Sequence, residues 1–343
     1  MELSGGKLWR LRRLADEHGH FRMLAVDQRP PIERLLTERR GELVLDDVAT
    51  VKRALIEHLG RDVSAVLVDP LVAYPFGIEL ADPSRGLLVT LEHAVYEETP
   101  GGRQSGPIPG WSVESILRLG GDAVKVLAWY RPDAHPAVRE HQQAWVAEVG
   151  EECRRHDLPF VFELLVYPFA AESGHGDAYA EDGGKRAEAV IESVETFADP
   201  TFGVDLFKLE SPIPAADLVE EDDSRFEDQR GWFHALDRAA GRPWVVLSAG
   251  ATKEGFTRVL GHALAAGASG FLAGRAIWWD AVERFPDIEA MKRWLDADAL
   301  AYLRTLNDAT RANARPWHSH DCHGPNGPSL AGAGPEFVER YGT

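Results

Sequence analysis

A lysine lies inside a short apolar run at residues 204–210, which read Val-Asp-Leu-Phe-Lys-Leu-Glu, and this lysine is Lys208. Asp-Pro and Ser-Pro pairs bound the run, so we predict a strand that is buried on both faces. A charged lysine is costly there, because burial disfavours the ammonium form. Lys208 could therefore pair with a carboxylate at a strand end, or it could attack a carbonyl carbon and form a Schiff base.

Two further charged residues occupy apolar runs. Lys125 lies in the middle of the run 123–128, and Glu163 lies inside the run 159–166. Two lysines on strands of one sheet could project into one pocket, where each would lower the pKa of the other. A buried glutamate must be paired or have a raised pKa. We therefore expect Lys208, Lys125 and Glu163 to share a site.

The rest of the chain predicts the elements that would position these side chains. Eight apolar runs have the length of buried strands, and helical patterns separate most of them. The runs are residues 21–26, 63–68, 86–91, 123–128, 159–166, 204–210, 243–248 and 269–273. This alternation predicts an α/β fold, a single-domain (β/α)₈ TIM barrel. An open doubly wound sheet is the alternative, but the first strand–helix turn lacks the G-x-G-x-x-G motif of that fold.

Polar residues and glycines follow several of these strands. In a TIM barrel the chemistry takes place at the carboxyl ends of the strands. On our assignment that face also receives Asp27, Gln28, Arg29, Ser248, Gly250, Gly274 and Arg275. Asp27 could alternatively cap a solvated turn, since Asp and Pro both favour turns.

The glycines after the seventh and eighth strands indicate a phosphate site. Glycine lets the backbone approach a ligand, and N–H groups at the start of a following helix favour an anion. The loops after these two strands are the usual phosphate site of the fold, and Arg275 would add a forked cation. The alternative is that Gly250 and Gly274 only form tight turns.

An amine, a carboxylate and an anion site together indicate carbonyl chemistry on a phosphorylated sugar. Lys208 would attack a ketone, the iminium would accept electrons as a C–C bond breaks, and Glu163 would carry the proton of the substrate hydroxyl. We expect no metal and no other cofactor. The histidine-rich segment 318–323 lies outside the barrel pattern, and we interpret it as a tail or interface, with adventitious metal binding as the alternative. We expect no catalytic role for the loop residue His175.

Composition restricts the partners. The net charge is −18 and the pI is about 5.2, which argues against a nucleic-acid partner. The two cysteines form no framework and fit a cytoplasmic location. The N-terminus lacks the apolar core of a signal peptide, so we expect none. The sequence contains no run of about 18 apolar residues, so we expect no membrane span.

Six segments carry a resemblance to a known family. They are residues 24–29 (LAVDQR), 122–125 (DAVK), 162–164 (FEL), 205–210 (DLFKLE), 247–250 (LSAG) and 274–276 (GRA). In this order they resemble the class I tagatose 1,6-bisphosphate aldolase family, which includes the sulfofructose 1-phosphate aldolases. The resemblance extends from about residue 7 to residue 315. We therefore assign residues 1–315 to the barrel and residues 316–343 to a C-terminal extension.

The resemblance implies a role for each matching residue. Lys208 matches the Schiff-base lysine, while Lys125 and Glu163 match the family's second active-site lysine and its acid/base glutamate. The remaining matches are substrate contacts at Asp27, Gln28 and Arg29, and the phosphate end near C1 at Ser248, Gly250, Gly274 and Arg275. The implied products are dihydroxyacetone phosphate and an aldehyde, and the implied assembly is a homo-oligomer.

Departures from the family pattern leave the aldehyde half of the substrate open. Pro30 and Pro31 follow the D-Q-R segment, and the loops after strands three and five diverge. The substrate could be tagatose 1,6-bisphosphate, a related ketose 1-phosphate or sulfofructose 1-phosphate. Outside this reaction, a non-catalytic barrel that senses sugar phosphates and a metal-dependent lyase that uses the histidine tail are the alternatives.

Overall fold

Eight parallel strands close into a barrel in the computed structural model, which describes residues 2–172 and 182–341, so that His175 lies outside the described residues. The strands are β1 Phe21–Ala25, β2 Ala65–Val68, β3 Gly86–Thr90, β4 Ala123–Trp129, β5 Phe160–Leu165, β6 Leu206–Leu209, β7 Trp244–Val246 and β8 Gly270–Ala273. Each strand pairs with the next one along the chain, and β8 pairs with β1. The predicted (β/α)₈ barrel is confirmed, and the open sheet is wrong.

Alternate residues of each strand enter two different cores, as the two-residue period of a strand requires. Ala123 of β4, Val161 of β5 and Leu206 of β6 belong to an apolar cluster inside the barrel. Val124 and Phe162 belong to the cluster between the strands and the helices. Positions 125, 163 and 208 each lie two residues after one of these inward-facing residues, so they have the same orientation. The barrel itself therefore points positions 125, 163 and 208 inward.

Helices cover the outside and the amino end of the barrel. They are α1 Gly5–Leu14, α2 Pro30–Arg40, α3 Leu45–Leu59, α4 Ala73–Gly77, α5 Val113–Arg118, α6 Pro136–Arg155, α7 Ala187–Phe197, α8 Phe226–Ala240, α9 Lys253–Ala266, α10 Arg275–Val282, α11 Ile288–Trp294, α12 Leu300–Asn313 and α13 Phe337–Arg340. A π-helical turn, Leu295–Ala299, joins α11 to α12. Within the described residues, no helix is both long and apolar enough to span a bilayer.

Three local elements differ from what the sequence patterns predict. Arg and Leu at helical spacing over residues 8–18 predict a surface helix there. The first helix ends earlier, at Leu14, because the Asp16 carboxylate accepts hydrogen bonds from two following backbone N–H groups. Helix α2 begins directly after the D-Q-R segment, with Pro30 in its first turn, where proline is tolerated. Residues 97–109, which show no usable pattern, contain a short antiparallel hairpin, Glu97–Thr99 with Gly102–Gln104.

Residues 316–341 pack against the amino end of the barrel. Trp317 is buried in the apolar cluster inside the barrel. Ser329–Leu330 forms a parallel two-stranded sheet with Glu2–Leu3. His320 Nε2 lies 2.9 Å from the Ser269 Oγ in a buried hydrogen bond. The extension thus closes the end of the barrel opposite to the strand carboxyl ends.

Two histidines of the extension give folding a pH dependence. Burial lowers the pKa of His320 to about 3 and that of His323 to about 4. Their neutral forms stabilise the fold fully above the unfolded value near 6.5, and this contribution is lost as the pH falls toward 4 and 3. We expect the free energy of unfolding in urea to fall by about 1–2 kcal/mol between pH 7 and pH 5.5. The variant His320→Gln should show a smaller fall over this range, and an equal fall would contradict the assignment.

Gly270 opens β8 at a position that admits no side chain. Its φ is +138°, and an added Cβ would lie 1.8 Å from the carbonyl oxygen of Phe21 in β1. We expect Gly270→Ala to lower the free energy of unfolding by about 4 kcal/mol or more, or to prevent folding. Gly261 in α9 is the matched control, since an added Cβ there meets nothing within 4 Å. Gly261→Ala should change stability by less than about 1 kcal/mol in the same urea titration.

Candidate active site

A cavity opens at the carboxyl ends of the strands. Lys125, Glu163 and Lys208 all line it, because each has the inward parity of its strand. Lys125, Glu163 and Lys208 are 2%, 5% and 3% exposed. The other predicted site residues on the wall are Asp27, Gln28, Arg29, Ser248, Gly274 and Arg275. Gly250 lies directly beside this wall, since an added Cβ would be 3.3 Å from a guanidinium nitrogen of Arg275.

Lysines and glutamates alternate around the cavity. Lys208 Nζ lies 2.9 Å from Glu163 Oε2, and the same oxygen lies 2.8 Å from Lys125 Nζ. Lys125 Nζ also donates to Glu92 Oε1 at 2.6 Å and to Asp27 Oδ2 at 2.9 Å. Strand register explains the first contact, because Glu163 and Lys208 are directly paired in β5 and β6. We call Lys208, Glu163, Lys125 and Glu92, in this order, the lysine–glutamate chain.

Lys125 is a stable cation. Burial alone would lower its pKa, but the carboxylates of Asp27, Glu163 and Glu92 raise the pKa well above its ordinary value. Our expectation that each lysine lowers the pKa of the other is therefore wrong for Lys125. The reason is that three carboxylates surround the ammonium group, and their attraction exceeds both burial and repulsion between like charges.

Glu92 is a site residue that sequence reasoning missed. It follows β3, is 6% exposed and lines the cavity. Burial raises the pKa of its carboxyl to about 7, with Lys125 opposing the shift and Asp27 adding to it. Asp27 behaves in the opposite way, because Lys125 and Lys208 outweigh its burial and hold its pKa far below the usual range. The available signal was a glutamate directly after an apolar strand.

The D-Q-R segment leaves β1 toward the cavity. Asp27 Oδ2 accepts from Lys125 and from the Thr90 hydroxyl at 3.3 Å. Arg29 donates from Nη2 to the backbone oxygen of Glu92 at 3.2 Å. Among the described residues, Asp27 Oδ1, Gln28 Oε1 and Arg29 Nε are buried without a hydrogen-bond partner. These unsatisfied atoms are suited to polar groups of a ligand.

The loops after β7 and β8 form the side of the cavity that was predicted to bind phosphate. Ala249 and Gly250 both have positive φ, 45° and 82°, so the chain turns sharply after Ser248. Gly274 precedes α10, and an added Cβ there would lie 2.6 Å from the carbonyl oxygen of Ala25. Burial lowers the pKa of Arg275 to about 10, which leaves it a cation at neutral pH. A backbone turn, a helix start and an arginine thus converge on one end of the cavity.

An aromatic wall faces these polar groups. Tyr96 and Trp129 line the cavity, and the Arg103 guanidinium lies 4.4 Å and 4.8 Å from the centres of their rings. Tyr167 packs on the third side at 4.9 Å. Arg103 comes from the hairpin after β3, so this contact fixes the hairpin against the barrel. Within residues 2–172 and 182–341, no three His, Cys, Asp or Glu side chains are placed to hold one metal ion.

A family model described as DeoC/LacD family aldolase matches residues 21–280. The chain belongs to this aldolase family. The tagatose 1,6-diphosphate aldolase of Streptococcus pneumoniae strain R6 is 31% identical to our aldolase over 326 residues, which are 92% of this chain and 99% of the relative. The prediction of an aldehyde-lyase is therefore confirmed.

Solved structures of aldolases share the fold. The fructose-bisphosphate aldolase of Plasmodium falciparum superposes with a TM-score of 0.64 at 15% identity, covering 92% of this aldolase and 98% of that chain. An archaeal fructose-1,6-bisphosphate aldolase, whose catalytic lysine is covalently bound to the carbinolamine intermediate of its substrate, gives a TM-score of 0.56 at 19% identity. Here the coverage is 88% of this aldolase and 98% of that chain.

Proposed function

We propose that this protein is a class I aldolase that cleaves a ketose 1-phosphate into dihydroxyacetone phosphate and an aldehyde. The observation that carries the proposal is the position of Lys208, whose amine lies 2.9 Å from Glu163 Oε2 inside the cavity. An amine hydrogen-bonded to a carboxylate has a partner that can take its proton, and a neutral amine is the nucleophile of Schiff-base chemistry. The covalently bound lysine of the archaeal aldolase supports the same role here.

The proposed reaction needs only the substrate, water and the side chains of the cavity. The Lys208 nitrogen adds to the C2 carbonyl carbon, and the carbinolamine loses its oxygen as water to give an iminium. The electron pair of the C3–C4 bond then moves toward the iminium nitrogen while a carboxylate of the cavity takes the proton of the C4 hydroxyl, which leaves an enamine and an aldehyde. The enamine takes a proton at C3, and water releases dihydroxyacetone phosphate and the free lysine. From the sequence we expected Glu163 to carry the proton of the substrate hydroxyl. Because its carboxylate contacts the Lys208 amine, we propose instead that Glu163 is the acid and base for the proton transfers near the Lys208 nitrogen.

The other residues bind and orient the substrate in this proposal. Ser248, Gly250, Gly274 and Arg275 hold the C1 phosphate, since backbone N–H groups and a guanidinium form a suitable anion site. The D-Q-R residues, Asp27, Gln28 and Arg29, contact the sugar hydroxyls. Lys125 holds the carboxylates of Asp27 and Glu163 in place. We further propose a homo-oligomer and a cytoplasmic location, as expected from the sequence.

Tagatose 1,6-bisphosphate is the first substrate to test, because relatives that match nearly the whole chain bear its name. A related ketose 1-phosphate or sulfofructose 1-phosphate would use the same phosphate and lysine groups. Tagatose and fructose have opposite configurations at C4, and the sulfosugar carries a sulfonate at C6 in place of a phosphate. We propose that Tyr96 and Trp129, which line the cavity, face this half of the substrate. Cleavage rates for tagatose 1,6-bisphosphate, fructose 1,6-bisphosphate and sulfofructose 1-phosphate therefore decide among them.

Reductive trapping tests the proposal directly. We expect that borohydride added with dihydroxyacetone phosphate produces a stable mass adduct on Lys208 and on no other lysine, as read by peptide mass mapping. Lys125, which lies in the same cavity but remains charged, is the internal control within the same digest. An adduct that appears on Lys125 instead, or no adduct with any ketose 1-phosphate, would favour a sugar-phosphate sensor or a different reaction.

A further inference from the structure

The lysine–glutamate chain has two ends, and the proposed reaction needs a proton acceptor at both. Along the chain the three contacts are 2.9 Å, 2.8 Å and 2.6 Å. Lys208 stands at one end, where the nitrogen must lose and regain protons. Glu92 stands at the other end, after β3, two strands away from Glu163 in β5. In the proposed reaction, the hydroxyl on the aldehyde carbon C4 must also lose its proton.

Glu163 serves the Lys208 end of the lysine–glutamate chain. Its Oε2 atom lies within 2.9 Å of both lysine nitrogens. The carbinolamine oxygen and the lysine nitrogen form at this position, so Glu163 serves the proton transfers there. Asp27 is a weak base, because Lys125 and Lys208 hold its pKa far below the usual range. Its Oδ2 atom is also occupied by Lys125 and Thr90.

Glu92 has an oxygen available for a substrate. Lys125 holds Oε1, whereas Oε2 is buried and has no hydrogen-bond partner among the described residues. The charged groups that face it are Lys125 from β4, Glu163 from β5 and Asp27 from the loop after β1. Arg29 contacts the residue only through the backbone oxygen. The carboxyl has a pKa near 7, so both the acid and the base form are present at neutral pH.

We propose that Glu92 is a second catalytic acid/base residue, the group that takes the proton from the C4 hydroxyl during cleavage. The inference rests on the proposed aldolase function. The hydroxyl proton moves to Glu92 Oε2, and the O–H electron pair becomes the second bond of the aldehyde carbonyl. The C3–C4 pair becomes the C2–C3 double bond, while the iminium π pair returns to nitrogen. In condensation the same carboxylic acid returns its proton to the aldehyde oxygen.

This division of labour separates two measurable reactions. Exchange of the C3 hydrogens of dihydroxyacetone phosphate with D₂O needs the Lys208 adduct but involves no C4 hydroxyl. Cleavage of tagatose 1,6-bisphosphate needs both ends of the chain. We expect Glu92→Gln to lower kcat for cleavage by about 10²–10⁴-fold. The same variant should retain the exchange rate, followed by proton NMR, within about threefold, a margin of about 0.7 kcal/mol in activation free energy.

The pH profile supplies a second readout. In the wild-type enzyme, kcat/KM for cleavage should rise with pH through about 7, as Glu92 loses its proton. Glu92→Asp should be slower but keep this limb, whereas Glu92→Gln should lack it. Glu98→Gln is the matched control, because Glu98 lies in the same loop and pairs with Arg103 at 3.3 Å. It should leave cleavage and its pH profile unchanged.

Each outcome has one meaning. If Glu92→Gln loses exchange and cleavage equally, Glu92 only neutralises Lys125 and the inference is wrong. Unchanged cleavage in Glu92→Gln overturns it as well. If the wild-type enzyme forms no adduct on Lys208 and exchanges no C3 hydrogen, the aldolase proposal itself fails, independently of any Glu92 variant.

Discussion

Lys208→Arg is expected to lower kcat for cleavage by about 10⁴-fold or more, and Lys208→Ala to do the same. Arginine keeps a cation that can pair with Glu163, so the packing and charge of the site change little. A guanidinium, however, does not give up its proton near neutral pH and cannot add to a ketone. The decrease in kcat therefore measures what the Lys208 amine contributes as a nucleophile. A coupled assay for dihydroxyacetone phosphate reports the rate.

Lys7 provides the matched control for this change. It is also buried and pairs with a carboxylate, Asp205, at 2.7 Å, but α1 holds it at the opposite end of the barrel. Lys7→Arg should retain activity within about threefold, about 0.7 kcal/mol in activation free energy. If Lys208→Arg kept more than about one per cent of the wild-type rate, corresponding to 2.7 kcal/mol, covalent catalysis at this residue would be wrong.

The barrel could be predicted from the sequence because buried parallel strands have a strong local signature. Each strand is apolar on both faces, so an interior charge stands out, as Lys125 and Glu163 do. The two-residue period then decides whether such a charge faces the barrel interior or the helices. Once β4, β5 and β6 are aligned as neighbours, the meeting of these charges follows from register.

Glu92 and its contacts could not be predicted in the same way. It lies just beyond β3, where the periodic pattern stops and a loop with no usable pattern begins. Its partner Lys125 is 33 residues further along the chain. The prediction for the charge of Lys125 failed for a related reason. Asp27 and Glu163 were expected at the same face, but the sequence did not show that both contact Lys125, and Glu92 was missed. Distances between residues that are far apart in the sequence decide the protonation state of Lys125, and no local sequence pattern encodes these distances.

In the proposed function, the two lysines of the cavity have opposite tasks. Lys208 contacts one carboxylate, and Lys125 contacts three. A nucleophile must lose its proton, whereas a cation that organises Asp27, Glu92 and Glu163 must keep it. We propose that the same side chain can serve both tasks because, in the part of the chain that the structure describes, the number of neighbouring carboxylates differs.

Lys125→Met is expected to give a slow and less stable enzyme. The variant leaves three buried carboxyl groups with Lys208 as the only remaining cation of the lysine–glutamate chain. Breaking a buried ion pair on one side typically costs about 3–5 kcal/mol, and we expect this loss in urea unfolding at pH 8. Cleavage should slow by about 10²–10⁴-fold, because the link between Glu163 and Glu92 is gone. The Lys208 adduct should still form.

The stability lost in Lys125→Met should depend on pH in a defined direction. Without Lys125, Asp27, Glu92 and Glu163 repel one another, so their protonated forms are favoured in the folded state. Carboxyl groups with raised pKa values stabilise a fold at acid pH and destabilise it as the pH rises. The stability deficit of Lys125→Met should therefore be smaller at pH 5.5 than at pH 8. Lys7→Met removes the lysine partner of a single carboxylate, Asp205, so it lacks this mutual repulsion and should show a flatter difference. Equal pH dependence in the two variants would show that Lys125 does not hold the carboxylates together.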